Sequence, residues 1–151
     1  MAFEHCTLTP EQLTLLQVTA QLVDSRPDGI YSVELLRSIF PDLTTSGLGA
    51  EIDDQDWPPP ALDTPEFAAQ VRRSRDLFHG LAKLSRMNKR AHAWSIAQNI
   101  GHKTNKPICT GAIVVGAAME GFTISRSRYA AGGSNINITT GAIAELWKRV
   151  R

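Results

Sequence analysis

The segment Gly111–Glu120 constrains the fold of this chain most, because the helix that it would form is apolar on every side. It reads Gly-Ala-Ile-Val-Val-Gly-Ala-Ala-Met-Glu, and Thr110 before it can cap a helix. A helix without a polar face belongs in a protein core, and this segment is far shorter than the ~20 residues that span a bilayer. We therefore predict a central helix whose Ile113, Val114 and Ala117 are buried against a hairpin and the last helix.

Capping residues mark the other helix starts. Thr9 and Thr64 each precede a proline, which suits the first position of a helix. Ser32 can cap a short helix that ends before Pro41, and Thr140 opens the last helix. Thr44–Ile52 is a further candidate for a short helix.

The longest helical pattern begins after Thr64 and continues to about Ile100. Its apolar residues recur at helical spacing along one face, which comprises Phe67, Val71, Phe78 and Leu81. Such a helix would be much longer than average, so Gly80 and Asn88 are the positions at which it can break. The polar segment after it, His102–Pro107, is predicted to be a loop.

Only one part of the chain indicates strands. Phe122–Arg128 and Asn135–Thr139 alternate in polarity, and Gly132 and Gly133 between them supply a hairpin turn. The fold class that follows is mainly α with a small antiparallel β-hairpin (α+β). It would consist of a helical N-terminal part, a long helix and a C-terminal helix–hairpin–helix unit.

A boundary is predicted in the acidic and proline-rich stretch that follows the first helices. Asp53–Pro60 reads Asp-Asp-Gln-Asp-Trp-Pro-Pro-Pro, and such a sequence favours an extended connector in which Trp57 is the anchor. The predicted organisation is an acidic helical region (1–52), an acidic connector (53–64) and a basic helical domain with the hairpin (65–151).

The charges of the chain are strongly segregated, although its net charge is only +1. Residues 1–66 carry twelve Asp and Glu against two Arg, a formal charge of −10, and residues 67–151 carry +11. This asymmetry indicates either a polyanionic partner or two parts that neutralise each other within the fold or between subunits.

A basic stripe is predicted on the long helix. Its members recur every three or four residues and fall within a band of about 80° opposite the apolar face; they are Arg72, Arg75, His79, Lys83, Arg86 and Arg90. Like charges at this spacing repel one another, and a phosphate backbone would relieve that repulsion. The alternatives are a solvated helix face and a face docked on the acidic part of the chain.

The C-terminal unit adds further cations in an order that in outline is similar to a winged helix-turn-helix. The predicted loop contributes His102, Lys103 and Lys106, and the hairpin contributes Arg126 and Arg128. The helix in the recognition position is apolar, so it offers no side chain that reads base edges. The loop and hairpin would therefore contact phosphates without reading sequence.

Signals for catalysis or a cofactor are poor. His92, His102 and Cys109 do not have the spacing of a zinc site, and a nucleophilic Cys109 would lack a partner that orients its base. We predict no metal and no cofactor. Cys6 and Cys109 stand alone and no signal peptide is visible, which is typical of a soluble cytoplasmic protein.

These patterns favour a non-enzymatic nucleic-acid-binding or regulatory protein that contacts the phosphates of DNA or RNA. Its acidic N-terminal region would serve self-association or a protein partner, and no membrane is expected. The alternative is a protein–protein interaction or inhibitor protein with charge-segregated faces, and an unrecognised enzyme comes third.

Overall fold

The computed structural model describes residues 5–48, 59–88, 90–126 and 134–150. The helices in this part of the chain are α1 (Pro10–Asp24), α2 (Val33–Ile39), α3 (Pro65–Phe78), α4 (Ala93–Thr104), α5 (Thr110–Met119) and α6 (Thr140–Arg149). The strands are β1 (His5–Cys6), β2 (Leu43–Thr44), β3 (Gly47–Leu48), β4 (Ile124–Arg126) and β5 (Ser134–Ile136). They form a three-stranded sheet in the order β1-β4-β5 and a separate β2–β3 pair, both antiparallel. The mainly helical α+β class is confirmed.

Helix α5 is the centre of the fold. All ten of its residues are buried, as its lack of a polar face requires. The accessible surfaces of Ile113, Val114 and Ala117 are 0% of their maximum, which confirms the predicted burial. Helix α3 makes the most extensive contact with α5, and α4, α1 and β3 also pack on it, whereas the hairpin and the last helix, its predicted neighbours, are not among its main contacts.

Helices α3 and α5 approach closely at Gly116. A Cβ atom there would overlap the Ser74 side chain and lie 2.9 Å from the backbone nitrogen of Arg75. The Ser74 hydroxyl is itself buried and donates to the carbonyl oxygen of Ile113 at 3.2 Å. The small residue is therefore what lets the two helices meet.

We expect Gly116→Ala to lower the free energy of unfolding by about 1–2 kcal/mol, because overpacking of about 1–3 kcal/mol exceeds the gain in helix propensity. Gly141 in α6 is the matched control, since a Cβ there meets nothing within 4 Å. Gly141→Ala should raise stability by about 0.5 kcal/mol. Urea denaturation measures both, and equal shifts in the two variants would contradict a close approach at Gly116.

The helix expected to run from Thr64 to Ile100 is divided at Gly80, one of the two positions that the sequence allowed for a break. Gly80 has a φ of +73°, the left-handed conformation that ends helices. The Arg149 guanidinium donates to the carbonyl oxygens of Leu77 and His79 at 3.0 and 2.6 Å and so caps α3. A polar contact from the end of the chain thus stabilises the break.

Residues 81–88 and 90–92, which are predicted to be helical, instead form a non-helical strap beside β5. The backbone N–H of Leu84 donates to the carbonyl oxygen of Asn137, and the backbone N–H of Ile136 donates to the carbonyl oxygen of Ala91. The Asn88 amide donates to the carbonyl oxygen of Ile138 at 2.9 Å. The strap replaces helical hydrogen bonds by sheet-like ones, which the local apolar spacing does not reveal.

Two shorter segments also differ from their predictions. The expected helix in Thr44–Ile52 is wrong over its described residues, which form the β2–β3 hairpin; Gly47 has a φ of +118°, and the Thr44 hydroxyl bonds within the turn. The expected loop after Gly101 begins later, because α4 continues to Thr104 and Asn105 adopts the left-handed conformation there.

The acidic and basic parts of the chain share one hydrophobic core. Its buried side chains run from Leu16 in α1 to Val150 after α6. Leu62, in the predicted connector, is also buried in it. Trp57 and most of Asp53–Pro60 lie outside the described residues, so the connector and the division into parts remain predictions.

Candidate nucleic-acid interface

The six basic stripe residues do not share one helix face, because the predicted long helix ends at Phe78. Arg72 and Arg75 lie on α3 and His79 follows its last turn. Lys83 pairs with Ile138 across a β-bridge, and the remaining two lie on the strap. The geometric basis of the stripe is therefore wrong, and each residue has a different environment.

Arg72 and Arg75 face the acidic part of the chain. Arg75 Nη1 lies 2.8 Å from Asp24 Oδ2, and Arg72 Nη1 lies 3.9 Å from Asp24 Oδ1. Tyr31 is buried beside this cluster, and its burial, with the Asp24 charge adding to it, raises the pKa of its hydroxyl to about 12. These two arginines thus take the docked role that was one alternative for the stripe.

The next two stripe residues also have partners within the fold. His79 Nδ1 lies 2.5 Å from Glu120 Oε1 at the end of α5. The Lys83 ammonium lies 4.5 Å from the centre of the Phe122 ring, which is a favourable cation–π distance. Neither residue forms part of a continuous basic helix face.

A basic cavity lies where α6 ends, and we call it the C-terminal groove. It measures about 500 Å³ and is lined by Arg73, Leu77, Lys103, Thr104, Lys106, Arg149 and Val150. Four of these seven residues are cationic, and none of the described residues that line it is acidic. They come from α3, from α4 with the loop after it, and from α6, so tertiary packing alone assembles the groove.

Two of its four cations are held by backbone and hydroxyl oxygens. Arg73 donates to the carbonyl oxygen of Lys106 at 2.8 Å and to Thr104 Oγ1 at 2.7 Å. Burial lowers the pKa of Arg73 below its ordinary value. The Arg149 guanidinium donates hydrogen bonds to the carbonyl oxygens at the end of α3. These arginines build the wall of the groove.

The two lysines of the C-terminal groove point to solvent. Lys103 and Lys106 are both exposed. The Lys103 ammonium lies 5.5 Å from the centre of a Trp147 ring system, which holds the side chain near α6. No ion pair involves either lysine within the described residues.

A second cavity, the N-terminal groove, lies where α6 begins. It measures about 470 Å³ and is lined by Leu84, Arg86, Met87, Asn88, Arg90 and Thr140. Asn88 shapes the strap here, since its side-chain oxygen accepts from the backbone N–H of Arg90 at 2.9 Å. Arg86 and Arg90 are exposed, and no acidic residue is among the described residues of the lining.

Helix ends contribute partial charges to both grooves. α3, α4 and α6 end at the C-terminal groove, and their three negative ends amount to roughly −1.5 elementary charges. The four cations there outweigh that value. α6 begins at the N-terminal groove, where its positive end of about half a charge adds to Arg86 and Arg90. Both grooves are therefore net positive.

The cations predicted for the C-terminal unit divide between the C-terminal groove and the hairpin. Lys103 and Lys106 lie in the C-terminal groove, the former on α4 rather than in a loop. Arg126 lies on β4, and Arg128 lies outside the described residues. α5, in the position of a recognition helix, is entirely buried, so it presents no side chain to a base.

Sequence reasoning missed Arg73 and Arg149. Neither belongs to the periodic set, and their position in the groove follows only from the packing of α3 against α4 and α6. A partial signal existed for Arg149, because a cation in the last turn of a helix is favoured by the helix dipole.

The described residues form neither a metal site nor the environment of a nucleophilic cysteine. Among the described residues, no three of His, Cys, Asp and Glu lie close enough together to hold a metal ion. Cys109 precedes α5, is 5% exposed, and its backbone N–H donates to Gln70 Oε1 at 2.8 Å. Burial raises the pKa of its thiol from 9.0 to about 11, whereas a nucleophilic cysteine needs a lowered value.

We expect Cys109 to react slowly with a disulfide reagent at pH 8 in the folded protein and rapidly in denaturant. A Cys6→Ser variant leaves a single thiol for the measurement. The pKa of this thiol is higher in the folded than in the unfolded protein. The free energy of unfolding should therefore fall as the pH rises from 9 toward 11. Reaction at the rate of a free thiol in the native state would contradict its burial.

Comparisons with protein-family models, curated proteins and solved structures found no match for this chain. Over the described residues, no helix has both the length and the apolar character that crossing a membrane requires.

Proposed function

We propose that this protein binds nucleic acid through the phosphate backbone, with the two grooves at the ends of α6 as the contact surface. The observation that carries the proposal is the C-terminal groove, where four cations from α3, α4, the loop after α4 and α6 line one cavity without an acid among its described residues. Lysine and arginine clusters of this kind are the electrostatic footprint of a phosphate partner.

The separation of the grooves favours an extended polyanion over a single phosphate. α6 has ten residues and is therefore about 15 Å long. Duplex DNA carries roughly nine phosphate charges over that length. We propose that a duplex lying along α6 contacts Arg86 and Arg90 at one end of the helix and Lys103 and Lys106 at the other.

Binding through these residues would have little sequence preference. Contacts to phosphates fix position without carrying base information, and the buried α5 offers nothing to read bases. The protein would act as a non-enzymatic, shape-directed or regulatory binder, and its lone cysteines favour the cytoplasm as its location.

The test is a fluorescence-anisotropy titration at low salt with a labelled duplex, a labelled single-stranded RNA and scrambled versions of both. We expect binding of similar strength before and after scrambling, and no competition by a mononucleotide at equal phosphate concentration. Absence of binding to DNA and RNA at low salt would overturn the proposal. Efficient competition by the mononucleotide would show a small-anion site instead.

A protein–protein interaction or inhibitor role is the second candidate. The observation that favours it is a set of large apolar side chains exposed near the acidic end of the chain, Leu15, Val18, Leu22 and Ile30. Such residues are typical of interaction sites when they are contiguous. This candidate expects association with protein in the absence of nucleic acid.

A further inference from the structure

Helix α1 is apolar on two opposite faces. Its buried face is formed by Leu16, Ala20 and Val23. Leu15, Val18 and Leu22 are 46%, 49% and 67% exposed, and at 100° per residue they lie within about 60° on the opposite side. An apolar stripe at this spacing is the kind of helix face that packs against another helix.

The exposed face continues beyond the end of α1. Ile30 is 51% exposed, and it lines a hollow of about 380 Å³ together with Leu22, Arg26 and Asp28. The patch therefore combines a helix face with an adjoining depression. We refer to Leu15, Val18, Leu22 and Ile30 as the α1 patch.

Two opposite charges flank the helical part of the α1 patch. Glu11 lies one turn before Leu15 on the same face, and Arg26 follows the end of α1, in the turn whose hollow it lines together with Leu22 and Asp28. Both are exposed, and neither forms an ion pair within the part of the chain that the structure describes. The apolar stripe thus has an acidic residue at its start and an arginine beyond its end.

We propose that a second copy of this chain covers the α1 patch, with the two α1 helices antiparallel about a twofold axis between Val18 and Thr19. In this register Leu15 of one copy lies opposite Leu22 of the other. Glu11 and Arg26 are also the same number of residues from the axis, so each Glu11 lies toward the Arg26 end of the second copy. A parallel pair would instead place like charges opposite each other.

The expected dimer is weak. A standard interface buries about 800 Å² of each partner, and a patch centred on four large apolar residues is small beside it. The α1 patch also lies in the acidic part of the chain, residues 1–66 with a formal charge of −10, so repulsion between copies weakens the dimer. We expect a dissociation constant in the micromolar range, which corresponds to about −8 kcal/mol. This self-association is independent of nucleic-acid binding.

Sedimentation velocity of the full chain without nucleic acid, over a wide range of concentration, tests the dimer. The wild type should shift from monomer to dimer as the concentration rises. Val18→Asp brings two carboxylates together at the axis and should weaken dimerisation by at least about 100-fold. Its circular dichroism should stay unchanged, because Val18 is exposed. A wild type that stays monomeric at every concentration, or a dimer that survives Val18→Asp, would overturn the proposal.

Charge reversal tests the register. Glu11→Arg and Arg26→Glu should each weaken the dimer about fivefold to tenfold, since each places like charges at both ends of the interface. A mixture of the two variants should form a heterodimer as tight as the wild type, because both ends then regain opposite charges. Glu34→Arg, on the exposed side of α2, is the matched control and should change nothing. Failure of the mixture to restore the dimer would overturn the antiparallel register.

Discussion

Val114→Asp should lower the free energy of unfolding by at least about 3 kcal/mol, because it places an unpaired carboxylate at the centre of the core. Val114 has no accessible surface and lies in a helix whose every residue is buried. Domains of this size have a total stability of only about 5–15 kcal/mol, so the variant should be marginally folded. Urea denaturation followed by circular dichroism measures the loss.

Two further substitutions keep this prediction testable if the aspartate variant does not fold. Val114→Ala leaves a cavity without adding a charge and should lose about 2 kcal/mol. Val18→Asp in dilute solution makes the same chemical change on an exposed face and should alter stability by less than about 0.5 kcal/mol. Equal denaturation midpoints for the aspartate variants at positions 114 and 18 would refute a buried α5.

The second large effect concerns salt. If Arg86, Arg90, Lys103 and Lys106 contact phosphates, the logarithm of duplex affinity should fall with the logarithm of salt concentration at a slope near −3.6, from about −0.9 per contact. Lys103→Glu together with Lys106→Glu should reduce affinity for all sequences and flatten the slope by about two. Arg86→Glu together with Arg90→Glu should also reduce affinity and flatten the slope by about two, because the groove at the other end of α6 supplies the other two contacts.

The controls are charge changes outside the grooves. Arg37 is exposed on α2, so Arg37→Glu alters the net charge without removing a groove cation and should leave the slope unchanged. Arg75→Gln breaks the ion pair with Asp24. It should lower the urea concentration at the denaturation midpoint and leave the salt dependence of binding unchanged. Equal flattening by Arg37→Glu would indicate an effect of net charge and contradict a specific contact surface.

The parts of the fold that could be predicted from sequence are those fixed by local chemistry. The Thr9 hydroxyl oxygen accepts a hydrogen bond from the backbone N–H of Gln12, and the Gln12 side-chain oxygen accepts one from the backbone N–H of Thr9. The spacing of the two residues predicts this capping box. Ser32 and Thr64 also cap the helices predicted for them. The burial of α5 follows directly from composition, because a helix without polar residues has no side that favours water.

The parts that sequence reasoning missed depend on distant partners. The apolar spacing continues past Gly80, so the sequence offers this glycine only as one of two break positions. The cap from Arg149 and the pairing of the strap with β5 stabilise the break there. The predicted basic stripe failed with it. Arg72 and Arg75 lie beside Asp24 instead. Lys103 and Lys106 line a groove together with Arg73 and Arg149, and no spacing along the sequence predicts this grouping.

The second apolar face of α1 was, in contrast, visible in the sequence. Leu15, Val18 and Leu22 follow the same helical spacing as the core face of Leu16, Ala20 and Val23. A test of both sides would have identified the patch, though not its exposure, which depends on how α1 packs against α3 and α5.

The most direct test of the proposed contact surface is a ¹H–¹⁵N NMR titration of the protein with a short duplex at low salt. We expect the largest shift changes in the backbone amides of Lys103, Lys106 and Arg149 at one end of α6, and of Arg86 and Arg90 at the other. The amides of α2 should remain unchanged. Shift changes confined to α1 and α2, or none at saturating duplex, would contradict binding through the grooves.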